Sequence, residues 1–189
     1  MPLSPPATRD HLHTRNIEMR GYRRADGLWD IEGHLTDVKS YGFRNDWRGE
    51  IGPGTPIHDM WIRLTVDDAL AVQDIEVTTD ASPFRICPEV APNFAAVKGL
   101  TIGPGWNRRI KELLRGRQGC THLVEMLGAL ATVAIQTQVR EREKRAAAAG
   151  DTPRRPAFLD SCHALASDGE VVQRFWPQFF AGARDEDGT

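Results

Sequence analysis

The sequence predicts an α+β domain in which a small antiparallel sheet packs against a few helices, followed by a C-terminal extension. Apolar and polar residues alternate in several stretches, as they do in half-buried strands. Later in the chain the apolar residues recur at helical spacing. The 189 residues are 40% hydrophobic and 26% charged, an ordinary balance for a globular protein with one hydrophobic core.

The first strand is predicted at residues 28–38, where apolar side chains such as Trp29 and Ile31 lie on one side and polar side chains on the other. Residues 1–14 are rich in proline and are predicted to form a flexible N-terminus. Residues 42–57 contain four glycines and two prolines, so we expect a long irregular loop. A loop of this length in a compact domain often has a functional role.

A hairpin is predicted after this loop. Its strands cover residues 60–66 and about residues 72–79, and a polar turn joins them. Four prolines within residues 80–105 exclude long regular structure and permit only a short helix near residues 93–98.

Two helices complete the predicted domain. Apolar residues share one face of a helix at residues 106–115, and glycines end it. A long helix begins near Cys120, and its charged second half continues to Arg145. The predicted organisation is a flexible segment at 1–14, a single α+β domain at 15–145, a linker at 146–157, a strand-like extension packing on the domain at 158–180, and a flexible tail at 181–189.

Charge and composition exclude several classes of protein. The formal net charge of −2 gives no basis for nucleic acid or an anionic membrane as a partner. No apolar run approaches the roughly 18 residues that cross a bilayer, and we expect no secretory signal in the proline-rich N-terminus. The three cysteines are an odd number at wide spacing. We therefore expect a reducing cytoplasm and no disulfide framework.

The start of the long helix holds the first candidate for chemistry, Cys120-Thr121-His122. Unpaired backbone N–H groups and the helix dipole at this end stabilise a thiolate and keep an imidazole neutral. Those are the forms that attack electrophiles and bind metal ions. The alternative is that Cys120 packs as a small apolar residue and that His122 lies on the surface.

Two further residues lie at the ends of predicted strands. His58 stands just before the first hairpin strand, and Cys87 follows the second. Each residue alone is compatible with a structural role. Together with the helix start they form a set of two nitrogen and two sulfur ligands, which suits zinc or iron, although the spacing is not that of a zinc finger. The predicted metal ligands are His58, Cys87, Cys120 and His122.

A second group lies on the polar faces of the strands. If the polar face of the first strand lines a cleft, His34 acts as a general acid or base and Glu32 orients it. The alternative is that this face is exposed to solvent. Asp59 is assigned to the same catalytic group. Trp61 and Arg63, on a neighbouring strand, are predicted to bind an aromatic or anionic ligand.

Five short motifs are specific enough to indicate a family. They are GYRR at residues 21–24, DGLWDIEGHLTD at 26–37, HDM at 58–60, GLTIG at 99–103 and GCTHL at 119–123. On these motifs the chain resembles the bacterial domain-of-unknown-function 2889 family. The resemblance extends from about Arg15 to Trp176, and the family name implies no established active site.

The order of elements is also similar to that of NifU-like or SufE-like iron–sulfur scaffold proteins. In the NifU-like class a Cys-Gly-Asp precedes one strand, a second Cys follows the next strand, and a His-Cys pair begins the last helix. The corresponding places here hold His58-Asp59, Cys87 and Cys120-Thr121-His122. A histidine replaces the first cysteine, and the Cys and His of the final pair stand in the opposite order with Thr121 between them. These departures disfavour cluster assembly. The binding of a single metal ion stays a hypothesis.

The family resemblance further implies a role in the bacterial catabolism of lignin-derived aromatic compounds. The implied activity is a lyase that releases formaldehyde from a hydroxymethyl-bearing aromatic dimer. Such a retro-aldol-like cleavage needs a base for the hydroxyl proton and an acid or metal to assist the leaving electrons. The leading hypothesis is therefore a metal-dependent carbon–carbon lyase that uses zinc or iron and acts on a small aromatic substrate. The protein could form a homodimer.

Two other classes of function stay open. The main alternative is a non-catalytic metal or iron–sulfur carrier. The third is an interaction domain whose contact surface is the basic, alanine-rich end of the long helix.

Overall fold

The computed structural model describes residues 3–149, 155–156 and 158–182. The chain divides into two compact units, Met1–Arg142 and Glu143–Thr189. The first unit contains a four-stranded antiparallel sheet, a small two-stranded sheet and several helices, so the predicted small α+β fold is confirmed. Within the described ranges, no helix has both the length and the apolar character needed to cross a membrane.

The first unit is built around its main sheet. The strands of that sheet are β1 (His13–Arg23), β2 (Trp29–Lys39), β5 (Pro56–Val66) and β6 (Val72–Ala81), and the small sheet pairs β3 (Phe43–Asn45) with β4 (Gly49–Ile51). The main sheet has the order β1-β2-β5-β6, and all of its neighbouring strands are antiparallel. The predicted first strand and the predicted hairpin are therefore confirmed.

Two stretches predicted to be irregular contain strands. β1 begins at His13, so the prediction of a flexible segment is wrong for residues 13 and 14. Most side chains of β1 are exposed, so its sequence lacks the apolar alternation that marks β2. The loop predicted at residues 42–57 contains β3, β4 and the start of β5. Three-residue strands are too short to show a period, and Gly49 supplies the positive φ of 74° at their turn.

The helices of the first unit follow β6. They are a 3-10 helix at Cys87–Val97, α1 at Trp106–Leu113, a second 3-10 helix at Gly116–Gln118 and α2 at Thr121–Ala149, which continues into the second unit. The predicted helix at 106–115 and the predicted long helix are confirmed. Because α2 runs to Ala149, it occupies the first part of the predicted linker. Residues 150–154 and 157 lie outside the described residues.

Two glycines allow α2 to approach the main sheet closely. A Cβ at Gly33 of β2 would lie 3.3 Å from a methyl of Leu130 and 3.5 Å from the sulfur of Met126. A Cβ at Gly21 of β1 would lie 1.9 Å from the hydroxyl oxygen of Thr137, a clash that glycine avoids. We call the side of the sheet beneath α2 the core face and the opposite side the outer face.

The second unit contains short helices instead of the predicted strand. The strand-like structure predicted within residues 158–180 is wrong, because Glu170–Phe175 forms helix α3 between 3-10 helices at His163–Leu165 and Pro177–Phe179. Adjacent valines in α3 favour a strand by propensity. Burial of Val172 and the hydrogen bond from the Trp176 N–H to the Val172 carbonyl stabilise a helix instead.

Candidate functional site

Asp37 is a carboxylate buried on the core face of β2. The apolar residues Trp29, Ile31 and Leu35 occupy the preceding positions of that face, and Asp37 follows them with only 2% of its surface exposed. A buried charge is costly unless other groups pair with it and donate hydrogen bonds to it. The partners of Asp37 therefore define the site.

Four side chains surround this carboxylate. Arg15 donates from Nε to Oδ1 at 2.8 Å and from Nη2 to Oδ2 at 2.9 Å. His13 Nε2 lies 3.0 Å from Oδ1, and His58 Nδ1 lies 2.9 Å from Oδ2. His122 Nε2 is 3.6 Å from Oδ2, close enough for an electrostatic interaction and too far for a good hydrogen bond.

Strand register and helix position bring these residues together. Arg15 of β1 and His58 of β5 are the residues directly opposite Asp37 in the two neighbouring strands. Residues paired in this way share a face of the sheet. His122 comes from the first turn of α2, which lies over the same face. We call Arg15, Asp37, His58 and His122 the core-face cluster.

The two histidines of this cluster are held in the neutral form. Their rings lie 4.0 Å apart between centroids. Burial lowers the pKa of His58, and the neighbouring His122 lowers it further. Burial likewise lowers the pKa of His122, and the charge of Arg15 acts in the same direction. Neutral imidazole is the form that accepts a proton or binds a metal ion.

Asp37 remains ionised in this environment. Burial raises its pKa, but hydrogen bonds and charge from Arg15, together with the hydrogen bond from His58, outweigh burial and lower the pKa to about 2. An ionised carboxylate only accepts hydrogen bonds, so His58 donates to it from Nδ1. The Nε2 atom of neutral His58 therefore carries a free lone pair.

The core-face cluster contains a ligand set for one metal ion. One ligand atom from each of Asp37, His58 and His122 lies within 4.8 Å of the other two. Around a tetrahedral ion with bonds of about 2.0 Å, ligand atoms are about 3.3 Å apart. The separations of 2.9 Å and 3.6 Å from Asp37 Oδ2 to the two histidines bracket that value. A metal ion bound there would replace the Nδ1 proton of His58.

The structure brings together two of the four predicted metal ligands, His58 and His122, and adds Asp37 to them. Cys120 is half-buried just before α2, and its sulfur lies 3.7 Å from His122 Nδ1, the ring nitrogen that does not face Asp37. Cys87 begins the first 3-10 helix. Among the described residues, no hydrogen bond, ion pair or ligand grouping joins Cys87 to the core-face cluster.

The predicted catalytic residues lie on the outer face. His34 Nε2 is 2.7 Å from Asp59 Oδ1, and the His34 ring stacks on the Trp61 indole with centroids 3.7 Å apart and planes 6° apart. The carboxylate that orients His34 is thus Asp59, whereas Glu32 was the predicted partner. Glu32 accepts a hydrogen bond from Arg63 at 2.8 Å instead.

Arg63 is held between two carboxylates, since it also donates to Glu76 at 2.9 Å. Together with Trp61 these residues line a shallow groove of about 170 Å³ on the outer face. The positive charge of Arg63 is already matched there, so the groove offers little attraction to an anionic ligand. We call Glu32, His34, Asp59, Trp61 and Arg63 the outer-face cluster.

Sequence reasoning missed Asp37, Arg15 and His13. A signal for Asp37 is present in the sequence, because it continues the alternation of Trp29, Ile31, Gly33 and Leu35 on the apolar side of its strand. A charged residue at a core position requires partners. No comparable signal marks Arg15 or His13, because β1 shows no clear apolar period.

Fold and site together define a small α+β protein with a buried carboxylate–histidine cluster beneath a long helix. A family model of proteins of unknown function, DUF2889, matches residues 13–136, so the chain belongs to the DUF2889 family. The match includes every residue of the core-face cluster. No curated protein and no solved structure matches the chain significantly, and the similarity to NifU-like or SufE-like scaffolds has no support from them.

Proposed function

We propose that this protein is a metal-dependent carbon–carbon lyase that releases formaldehyde from a small, lignin-derived aromatic compound. The observation that carries the proposal is the convergence of Asp37, His58 and His122 on one buried point of the core face. The substrate class rests on the family resemblance. A reducing cytoplasm suits this proposal, because all three cysteines are free thiols.

The ligand chemistry of the core-face cluster supports zinc or iron. Two neutral imidazoles and one carboxylate make up the ligand sets of catalytic zinc sites and of non-haem iron oxygenases. Asp37, His58 and His122 would be the three protein ligands of such an ion. A bound divalent ion would supply Lewis acidity to a hydroxyl or carbonyl oxygen of the substrate.

The reaction consists of a proton transfer and a carbon–carbon cleavage. A base takes the proton of the hydroxymethyl group, and the O–H electron pair becomes the second bond of the formaldehyde carbonyl. The carbon–carbon bond breaks, and its electron pair passes to the aromatic fragment, where an acid neutralises the charge. In this proposal Asp37, His58 and His122 would hold the ion, and the ion would polarise the reacting oxygen.

A metal-free form of the same function is the second candidate. It is favoured by Arg15, whose guanidinium already neutralises the charge of Asp37 and occupies both of its oxygens. In this form His58 is the base, because its Nδ1–H donates a hydrogen bond to Asp37 and its Nε2 lone pair is left free. The sequence instead assigned proton transfer to His34 or Glu32 and placed Asp59 with them among the catalytic residues. All three residues lie on the opposite face of the sheet.

A non-catalytic carrier is supported less well. Iron–sulfur clusters are bound mainly by thiolates. Cys120 is the one described cysteine that touches the core-face cluster, and it does so through His122. These contacts favour a single metal ion over a cluster in either role.

Metal content and formaldehyde release test the proposal. Protein purified without a histidine tag is analysed for zinc and iron by mass spectrometry, and formaldehyde is measured with hydroxymethyl-bearing aromatic dimers. We expect about one ion per chain and turnover that chelator abolishes. A His58→Gln variant is expected to lose both, whereas His34→Gln, the matched change on the outer face, is expected to keep both.

The outcomes separate the candidates. Turnover that persists in chelator with no bound ion favours the metal-free form with His58 as the base. A bound ion without turnover on any such dimer favours a carrier. Absence of both an ion and turnover contradicts the proposed function. Loss of activity in His34→Gln but not in His58→Gln would move the site to the outer face.

A further inference from the structure

Arg15 contacts two different elements with one guanidinium group. Its Nε and Nη2 atoms donate to the two oxygens of Asp37 on β2 at 2.8 Å and 2.9 Å. Its third nitrogen, Nη1, donates to Glu125 Oε2 on α2 at 3.2 Å. The side chain is only about one-third exposed, so most of it is held inside the structure.

The two bonds to Asp37 fix the plane of the carboxylate. A guanidinium is a rigid, planar fork that matches both oxygens of a carboxylate at once, whereas an ammonium is a point charge that leaves the carboxylate free to turn. With both oxygens held, Oδ2 faces His58 Nδ1 at 2.9 Å and His122 Nε2 at 3.6 Å. Rotation of the carboxylate would change both of these separations.

The bond to Glu125 acts on the other side of the core-face cluster. Glu125 is three residues after His122, so the two side chains lie on the same side of the first turns of α2. Arg15 therefore links β1 to the strand that holds Asp37 and to the helix end that holds His122. Among the described residues, Arg15 is the side chain that hydrogen-bonds to both Asp37 and α2.

We propose that Arg15 is a positioning residue of the core-face cluster, which fixes the orientation of the Asp37 carboxylate toward His58 and His122. The inference rests on the proposed function in one respect, namely that this cluster is the functional site. Arg15 itself need not touch the substrate. Arg15 fixes the orientation of the Asp37 carboxylate, in addition to neutralising its buried charge.

An Arg15→Lys variant separates geometry from charge, because it keeps the positive charge and loses the fork. Arg20→Lys is the matched control, since Arg20 is on the same strand, is 62% exposed and pairs with Glu18 and Tyr22. Zinc affinity is measured by competition with a chromophoric chelator. We expect Arg15→Lys to bind zinc about tenfold or more weakly, the usual effect of losing a group that orients a metal ligand. We expect no change in Arg20→Lys.

Histidine NMR on the chelator-treated protein provides a readout independent of metal and activity. Long-range ¹H–¹⁵N spectra report which ring nitrogen of His58 carries the proton. We expect the Nδ1–H form alone in the wild type and a mixture of the two forms in Arg15→Lys. A wild type that fails to bind zinc argues against the metal-dependent proposal, and these spectra then decide the role of Arg15.

Unchanged zinc affinity or an unchanged His58 spectrum in Arg15→Lys would overturn the proposal. If that variant does not fold, Glu125→Gln removes only the second anchor of Arg15 and leaves the buried pair intact. It is then expected to weaken zinc binding about twofold to fivefold, as suits one exposed ion pair. A Glu125→Gln protein with wild-type affinity and a wild-type His58 spectrum would overturn the proposal in its turn.

Discussion

Two carboxylate–histidine pairs occupy opposite faces of the same end of the main sheet. The core-face pair joins Asp37 to His58 at 2.9 Å, and the outer-face pair joins Asp59 to His34 at 2.7 Å. Their lengths are similar and their surroundings differ. The side chain of Asp37 is 3% exposed and receives a bidentate guanidinium. That of Asp59 is 26% exposed and, among the described residues, pairs with His34 alone.

The comparison shows that burial, more than hydrogen-bond length, distinguishes the two pairs. Solvent can replace either partner of the outer-face pair at little cost, because water hydrates an exposed charge. On the core face, Arg15 and the histidines must compensate a charge that water cannot reach. That compensation leaves an ionised carboxylate beside neutral imidazoles, which is a suitable arrangement for binding a metal ion or moving a proton.

Replacement of each aspartate by asparagine tests this difference most strongly. Asp37→Asn removes the charge that pairs with Arg15 at a buried site, so we expect the free energy of unfolding to fall by about 3 kcal/mol. Asp59→Asn removes a partly exposed pair, and we expect a loss of about 1 kcal/mol or less. Urea unfolding of both variants in chelator, with the wild type, measures the two values. Equal losses would contradict the comparison.

Much of the fold follows from local patterns. β2, β5 and β6 alternate clearly, and α1 and α2 carry apolar stripes, so their positions are predicted from sequence. β1 is missed because its exposed side chains leave no apolar period. The residues of α3 are mistaken for a strand because adjacent valines have a high strand propensity. In the folded unit, burial of Val172 stabilises a helix instead.

The candidate site is predicted only in part, and the reason is physical. His58 and His122 are found because they stand at the ends of elements, where side chains are displayed. Their common partner Asp37 depends on which residues face each other across strands, and register is a long-range property. Arg15 depends on the same register through a strand that was not predicted. The pairing of His34 with Asp59 is missed for this reason too.

Acid titration of stability provides a second test of the buried carboxylate on the core face. Because the pKa of Asp37 falls from 3.8 to about 2 on folding, its ionisation contributes about 2.5 kcal/mol, fully present above about pH 4 and lost as the pH falls toward 2. His58 and His122 have lowered pKa values, so the unfolded chain binds their protons more readily. They therefore cause an earlier loss of stability as the pH falls below about 6.5.

Asp37→Asn separates these two phases. Unfolding free energies of chelator-treated protein, measured from pH 7 to pH 2.5, should decline in both phases for the wild type. The variant should keep the decline that begins below about pH 6.5 and lose the part of the decline below pH 4 that Asp37 contributes. A smaller decline should remain there, because Asp26, Asp74 and Asp160 also have lowered pKa values. A variant curve parallel to that of the wild type below pH 4 would show that Asp37 is not the group responsible.

The smallest expected effect concerns the ring pair on the outer face. His34 and Trp61 stack at 3.7 Å between centroids, but the indole is 40% exposed, so little apolar surface leaves water when the rings meet. A double-mutant cycle of His34→Ala and Trp61→Ala should give a coupling free energy of about 0.5–1 kcal/mol, the usual range for stacked aromatic pairs. Urea unfolding of the four proteins provides the cycle. A coupling above about 2 kcal/mol would mean that the outer-face cluster is as tightly organised as the core-face cluster, and the contrast between the two faces would then fail.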